Sequence, residues 1–254
     1  MTANHKLVAA LVGLALVPLR SWTAQIDVPG RIAAARNELM ISSREDSERQ
    51  RTPGYLTGRI GQLRGLIREE ILRQLNSGQW KDSTFFQNLS PALSEEWNRP
   101  LNLIHKQLNG ADVVIIGYSI RHGPSAIPDS TVVIEGFRRA ANGYELVDQT
   151  GEGLANSVPR LETLPGPATN EIWFLAHGQQ TGVMQYHERS RIYGFDGHRF
   201  KELWGHEPLR QATFEIANTE VRVTFEEEES GRQMVLTLAL LPQGPTQISL
   251  LMKQ

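Results

Sequence analysis

The sequence has 254 residues, 40% of them hydrophobic and 21% charged, which is ordinary for a globular protein and excludes disorder throughout the chain. Its 26 basic and 28 acidic side chains give a net charge of −2, so it lacks the strongly basic character by which proteins bind nucleic acid. The chain has no cysteine, which excludes disulfides, thiolate zinc sites and cysteine nucleophiles.

Residues 1–24 have the order of a secretory signal peptide. Lys6 precedes an apolar run at residues 7–19, and the small residue Ala24 ends the segment. As a helix the run is about 20 Å long, shorter than the roughly 30 Å hydrocarbon core of a bilayer. We therefore expect cleavage after Ala24 and a periplasmic or secreted bacterial protein. The alternative is an uncleaved membrane tether, because Trp22 is bulky where the cleavage motif takes a small side chain.

A helical region is predicted for residues 25–110. Helix formers favour one helix over 29–50, and apolar residues recurring every three or four positions favour a second over 57–75. Ser90-Pro91 is typical of the start of a short third helix. We include residues 101–108 in this helical region, which ends at Asn109-Gly110.

From residue 111 to 254 the pattern changes to ten short β-rich runs separated by turn residues. Asn142-Gly143, Asp196-Gly197 and Ser230-Gly231 are hairpin turn signals, which favour antiparallel pairing. The ten candidate strands lie at 112–120, 130–137, 143–149, 170–178, 190–195, 199–204, 212–216, 220–226, 233–240 and 246–252. The predicted fold class is α+β, with N-terminal helices followed by an antiparallel β meander or sandwich.

An internal repeat is predicted within this β-rich region. A shift of 58 positions lays Val113–Phe137 over Glu171–Phe195 without a gap, and Ile134-Glu135-Gly136-Phe137 falls on Ile192-Tyr193-Gly194-Phe195. The hypothesis is two copies of one three-stranded unit, at about 113–149 and 171–205, followed by C-terminal strands over 210–252. The alternative is that two unrelated antiparallel meanders align at this offset.

These units, the second closed by an aromatic-Asp-Gly hairpin, resemble β-propeller blades. Across 113–204 the sequence also resembles exported bacterial proteins of uncharacterised function, and this resemblance brings no catalytic residues with it. Two units and a four-stranded tail are too few blades to close a ring. A sandwich or curved meander with the helices on one side is therefore expected.

Histidine and carboxylate residues suggest one candidate site. His177, His187, Glu188 and His198 are the ligands that a zinc ion would take, since neutral imidazole and carboxylate suit that ion. None of these histidines has the H-x-x-x-H spacing that places two rings on one face. Zinc is thus expected only under an alternative interpretation, a metal-assisted hydrolase, and no cofactor is expected otherwise.

Aromatic residues suggest a second candidate site in the later repeat unit. Trp173, Tyr186, Tyr193 and Trp204 would bind a sugar or peptide by stacking wherever their rings are exposed, although core packing is the default role of such residues.

The leading functional hypothesis is a non-enzymatic binding or scaffolding module of the bacterial envelope, with no catalytic residue assigned. Its expected partner is an envelope protein or a glycan, and no nucleic acid is expected. The alternatives are the metal-assisted hydrolase and a carbohydrate-binding module.

Overall fold

The computed structural model describes residues 27–49, 54–78, 80, 102–121, 130–151, 160–166, 170–181 and 186–253. The predicted signal peptide at 1–24 and the predicted third helix near Ser90 lie outside the described residues. No helix within the described ranges is long and apolar enough to cross a membrane.

Two helices begin the described chain, α1 (Val28–Arg49) and α2 (Gly54–Ser77). Asp27 caps α1, because its carboxylate accepts a hydrogen bond from the backbone N–H of Gly30 at 3.0 Å. The apolar stripe of α2 buries Leu63, Ile67 and Ile71, each at most 1% exposed. Both helices predicted from the sequence are confirmed, with α2 longer at each end.

A four-stranded antiparallel meander follows, comprising β1 (Asn102–Leu108), β2 (Ala111–Arg121), β3 (Ser130–Ala140) and β4 (Gly143–Thr150). Including residues 101–108 in the helical region was wrong, because most of them form β1. Asn109 and Gly110 both have positive φ, 51° and 77°, and join Leu108 to its partner Ala111. This Asn-Gly pair is therefore a two-residue hairpin turn, which fixes the flanking residues as paired strands.

The second sheet has seven strands in sequence order, all neighbours antiparallel. Two predicted strands, 199–204 and 212–216, are parts of one long strand over 200–216. The first strand of this sheet, over 160–163, lies where no strand was predicted. The strands are β5 (Arg160–Thr163), β6 (Ile172–Thr181), β7 (Tyr186–Phe195), β8 (Phe200–Ile216), β9 (Glu220–Glu226), β10 (Gln233–Leu241) and β11 (Gly244–Met252). The predicted α+β fold with mostly antiparallel strands after the helices is confirmed.

The long strand β8 changes partner along its length. Its residues from Phe200 to Arg210 pair with β7, and those from Arg210 to Ile216 pair with β9. The register shifts after Arg210, where Gln211 has a φ of 50°. This irregularity bends the strand, so β9 and β10 fold back over one face of β6 and β7.

Three apolar cores separate four layers of secondary structure. The helices pack on one face of the first sheet through Ile67, Ile116 and Phe137. The other face of that sheet packs on β6 and β7 in a second core, whose larger members are Ile115, Ile134, Phe174, Tyr193 and Phe195. The third core lies where the second sheet folds back on itself and contains Trp173, Leu175, Ile192, Val221 and Leu236.

An ion pair to a buried carboxylate joins α2 to the first sheet. Glu135 of β3 is fully buried, and its Oε1 accepts a hydrogen bond of 2.6 Å from the guanidinium of Arg68. Arg64, one turn earlier on α2, approaches the same oxygen at 3.4 Å. These two arginines of α2 thus meet one carboxylate of the sheet, which is a charge-assisted contact between the helix and β3.

Candidate functional site

The strand β11 forms an open edge of the second sheet. Among the described strands it has a hydrogen-bonded neighbour on one side only, β10. The backbone N–H and C=O groups on its other side are therefore a template on which a further strand pairs.

Apolar side chains are concentrated on this open edge. Four of the six exposed large apolar side chains in the described part of the chain lie on five consecutive residues of β11. They are Ile248 (58% exposed), Leu250 (49%), Leu251 (64%) and Met252 (55%). Exposed apolar patches on soluble domains mark interaction sites, so we call these four residues together with their backbone the β11 edge.

The other sheet edges of the described structure carry charges, which discourage pairing between sheets. In the first sheet, β1 has the exposed Lys106 and β4 the exposed Glu145. At the opposite end of the second sheet, β5 has the exposed Arg160 and Glu162. Strand β11 has no charged residue from Gly244 to Met252 and is the exception among these edges.

The aromatic residues predicted to bind a ligand do not form one exposed surface. Trp173 and Tyr193 are each 2% exposed and belong to different cores, on opposite faces of the second sheet. Trp204 is half-buried against the third core, and the side chain of Tyr186 lies outside the described part of the structure. Core packing accounts for the two buried rings.

The residues of the zinc hypothesis are spread over the second sheet, and only His177 and Glu188 are in contact. His187 contacts Glu228 near the hairpin tip at 3.3 Å, and His198 contacts Arg138 of the first sheet. No group of three or more histidine, aspartate or glutamate side chains is placed to hold a metal ion in the described ranges.

Instead, the buried His177 lies between two carboxylates, those of Glu188 and Glu162. Its Nδ1 is 2.5 Å from Glu188 on β7, and its Nε2 is 2.9 Å from Glu162 on β5. The ring also lies 4.8 Å, centroid to centroid, from that of Phe214 on β8. With both ring nitrogens facing carboxylate oxygens, the protonated imidazole donates two hydrogen bonds and links three strands.

The electrostatics of this cluster favour the imidazolium form. Burial lowers the pKa of His177, but hydrogen bonds to Glu188 and Glu162, together with their charges, outweigh that effect and raise the pKa above its ordinary value. The His177 side chain is 5% exposed, whereas that of Glu162 is 45% exposed. The cluster is a proton-dependent link between the edge strand β5 and the interior of the sheet.

Sequence reasoning named His177 and Glu188 but missed Glu162, because none of the ten candidate strands covers the residues between 149 and 170. The short strand Arg-Leu-Glu-Thr offers few apolar positions, and its pairing with β6 decides its structure. The β11 edge was also missed as a site. The strand was predicted over 246–252, but its place at the end of the sheet depends on the order of all seven strands.

No protein-family model and no curated protein matches the sequence. Among solved structures, part of the chain is weakly similar to a mutant α-L-arabinofuranosidase from Fusarium graminearum in complex with an iminosugar inhibitor. The TM-score is 0.34 and the sequence identity 9%, with 60% of this chain covered. The match spans 48% of the enzyme, about half its length. A likeness at this level carries no argument about function.

Proposed function

We propose that this chain is a non-enzymatic binding or scaffolding module of the bacterial envelope, exported by its N-terminal segment, and that it binds through the β11 edge. One observation carries the proposal: an uncharged edge strand exposes four large apolar side chains on five consecutive residues. Adding a strand to such an edge satisfies backbone hydrogen bonds and buries apolar surface in one step.

The chemistry of the edge specifies its occupant. Backbone pairing requires an extended segment of another polypeptide, and the neighbouring side chains favour an uncharged, apolar one. Folded surfaces without a free strand are poor partners, because they leave the backbone groups of β11 unpaired.

A designed strand peptide tests the binding function. A fluorescent peptide of alternating threonine and valine is titrated with the intact mature protein, and binding is followed by anisotropy. The substitution Leu250→Lys places a charge within the β11 edge. We expect the affinity of this variant for the peptide to be lower than that of wild type by about tenfold or more. Equal affinity of wild type and Leu250→Lys would contradict the proposal.

Ile41→Lys is the matched control for this experiment. Ile41 is also a large apolar residue, 58% exposed, but it lies on α1, and lysine is compatible with a helix. We expect this variant to bind the peptide as wild type does. Circular dichroism on both variants checks that each retains its fold.

Export is tested separately, by N-terminal sequencing of protein recovered from the periplasm of a bacterial host. Under the proposal the mature chain begins at Gln25, because cleavage follows Ala24. Recovery of the uncleaved chain with the membrane fraction would support the tethered alternative instead.

We also infer that residues 113–149 and 171–205 are copies of one unit. The shift of 58 positions carries the strand pair Val114 with Phe137 onto the strand pair Ile172 with Phe195. It also carries residues from one core to the next, since Val114 and Phe137 face the helices whereas Ile172 and Phe195 face the first sheet. Units that stack in this way are typical of repeat architectures. A one-residue difference between the β2–β3 register and the β6–β7 register in an experimental structure would contradict the inference.

A further inference from the structure

We propose that the β11 edge pairs antiparallel with the β11 edge of a second copy of this chain, joining two seven-stranded sheets into one. This inference rests on the proposed function and names the partner. It follows from the charge pattern of the edge, the position of one proline and the self-complementary order of the apolar residues.

The charge pattern makes β11 suitable for self-pairing. Two identical strands that meet across a twofold axis place the same residue types opposite each other, so any charge near the axis meets a like charge. Between Gly244 and Met252 there is no such charge. The charged edges β1, β4 and β5 lack this property.

Pro245 limits where a second strand is accommodated. Proline has no backbone N–H to donate to a ladder and is one of the devices that protect sheet edges. It stands at the start of β11, well before the centre of the exposed apolar segment. Pairing is therefore confined to the C-terminal part of the strand, where all four exposed apolar side chains lie.

The register centred on Leu250 satisfies these limits. With the twofold axis at Leu250, this residue lies opposite Leu250 of the second copy, and Ile248, at the register shift of β11 against β10, lies next to Met252 of the second copy. The same register sets Lys253 opposite the uncharged Gln247 of the second copy and leaves Pro245 outside the ladder. Backbone hydrogen bonds between the two strands add to these apolar cross-strand pairs, and a dimer of micromolar affinity is expected.

Charged substitutions of Leu250, the residue at the twofold axis, test whether two copies of the chain pair through β11. Molar mass is measured by light scattering on the intact mature protein at about 100 µM, where complexes of micromolar affinity are formed. We expect wild type to have twice the mass of one chain. Leu250→Lys and Leu250→Glu, which place like charges opposite each other, are each expected to have the mass of a single chain.

An equimolar mixture of Leu250→Lys and Leu250→Glu is the decisive arm. Opposite charges then meet at the axis, so the mixture is expected to recover the dimer mass, which a variant that had merely lost its fold would not do. The control Ile41→Lys is expected to stay dimeric.

A single-chain mass for wild type overturns the inference, as does a dimer that persists in both charged variants. The strand peptide separates this failure from failure of the proposed function. A monomeric wild type that binds the peptide through the β11 edge retains the function with a different partner. A monomeric wild type that does not bind the peptide loses both.

Discussion

The imidazole of His177 is placed so that its protonation state bears on the stability of the fold. In the folded protein its pKa is raised by the neighbouring carboxylates of Glu188 and Glu162. In the unfolded chain it returns to about 6.5. The folded state thus binds the proton more tightly, and the stabilisation is fully present below about pH 6.5 and is lost as the pH rises through the folded pKa.

The substitution His177→Gln is therefore expected to lower the free energy of unfolding by an amount that depends on pH. Near pH 6 the variant loses hydrogen bonds to charged groups, worth about 1–3 kcal/mol of unfolding free energy. At alkaline pH the difference from wild type shrinks, because wild-type His177 is then neutral as well. Denaturant unfolding at a series of pH values measures this difference.

His187→Gln is the matched control for the loss of a histidine. His187 lies on β7 beside Glu188, but it contacts Glu228, whose side chain is 72% exposed, so we expect a small effect. A His177→Gln difference that stays constant between about pH 6 and 9 would show that the pKa of His177 is the same in the folded and the unfolded chain, which contradicts the raised pKa.

At the scale of single residues, the sequence named the chemical groups but not their partners. His177 and Glu188 were proposed as zinc ligands, and they are in contact across β6 and β7. The third member, Glu162, comes from a strand that forms only by pairing with β6, so no local pattern predicted it.

At the scale of elements, Gly136 allows the two sheets to approach closely. A Cβ at this position would lie 2.7 Å from Cζ of Phe195 and 3.0 Å from Cζ of Phe200, both in the core between the sheets. We expect Gly136→Ala to lower the free energy of unfolding by about 1–3 kcal/mol, because packed rings must shift to admit the methyl group. Chemical denaturation checks this value.

Gly65→Ala is the control for the same chemical change. Gly65 lies in α2, and no neighbouring atom lies within 4 Å of the place that an added methyl group would take. The substitution is therefore expected to stabilise the helix by up to about 1 kcal/mol. If Gly136→Ala is as stable as wild type, the close approach of the sheets at this glycine is not a constraint.

The strands show which features of an element are determined locally. Hairpin turns at Gly143, Gly197 and Gly231 were predicted, and all three glycines have positive φ. In contrast, Asn109-Gly110 was interpreted as the end of the helical region, although the same dipeptide chemistry makes hairpins. The choice depended on whether residues 102–108 find a partner, and β2 supplies it.

At the scale of the whole molecule, the sequence predicted helices on one side of an antiparallel β region, and the structure has this arrangement. It did not predict which strands end the sheets, because edge position is a property of the complete strand order. The β11 edge is thus visible only in the assembled fold, where most other large apolar side chains of the described residues are buried.

The location of binding on the molecule is the central claim, and amide hydrogen exchange of the intact protein tests it most directly. Exchange is compared at low and high protein concentration, and with and without the strand peptide. We predict that those amides of residues 248–252 that face away from β10 become protected when a strand is added, while amides of β1, β4 and β5 do not change. Unchanged exchange in β11 at saturation, or protection at another edge instead, would contradict the account.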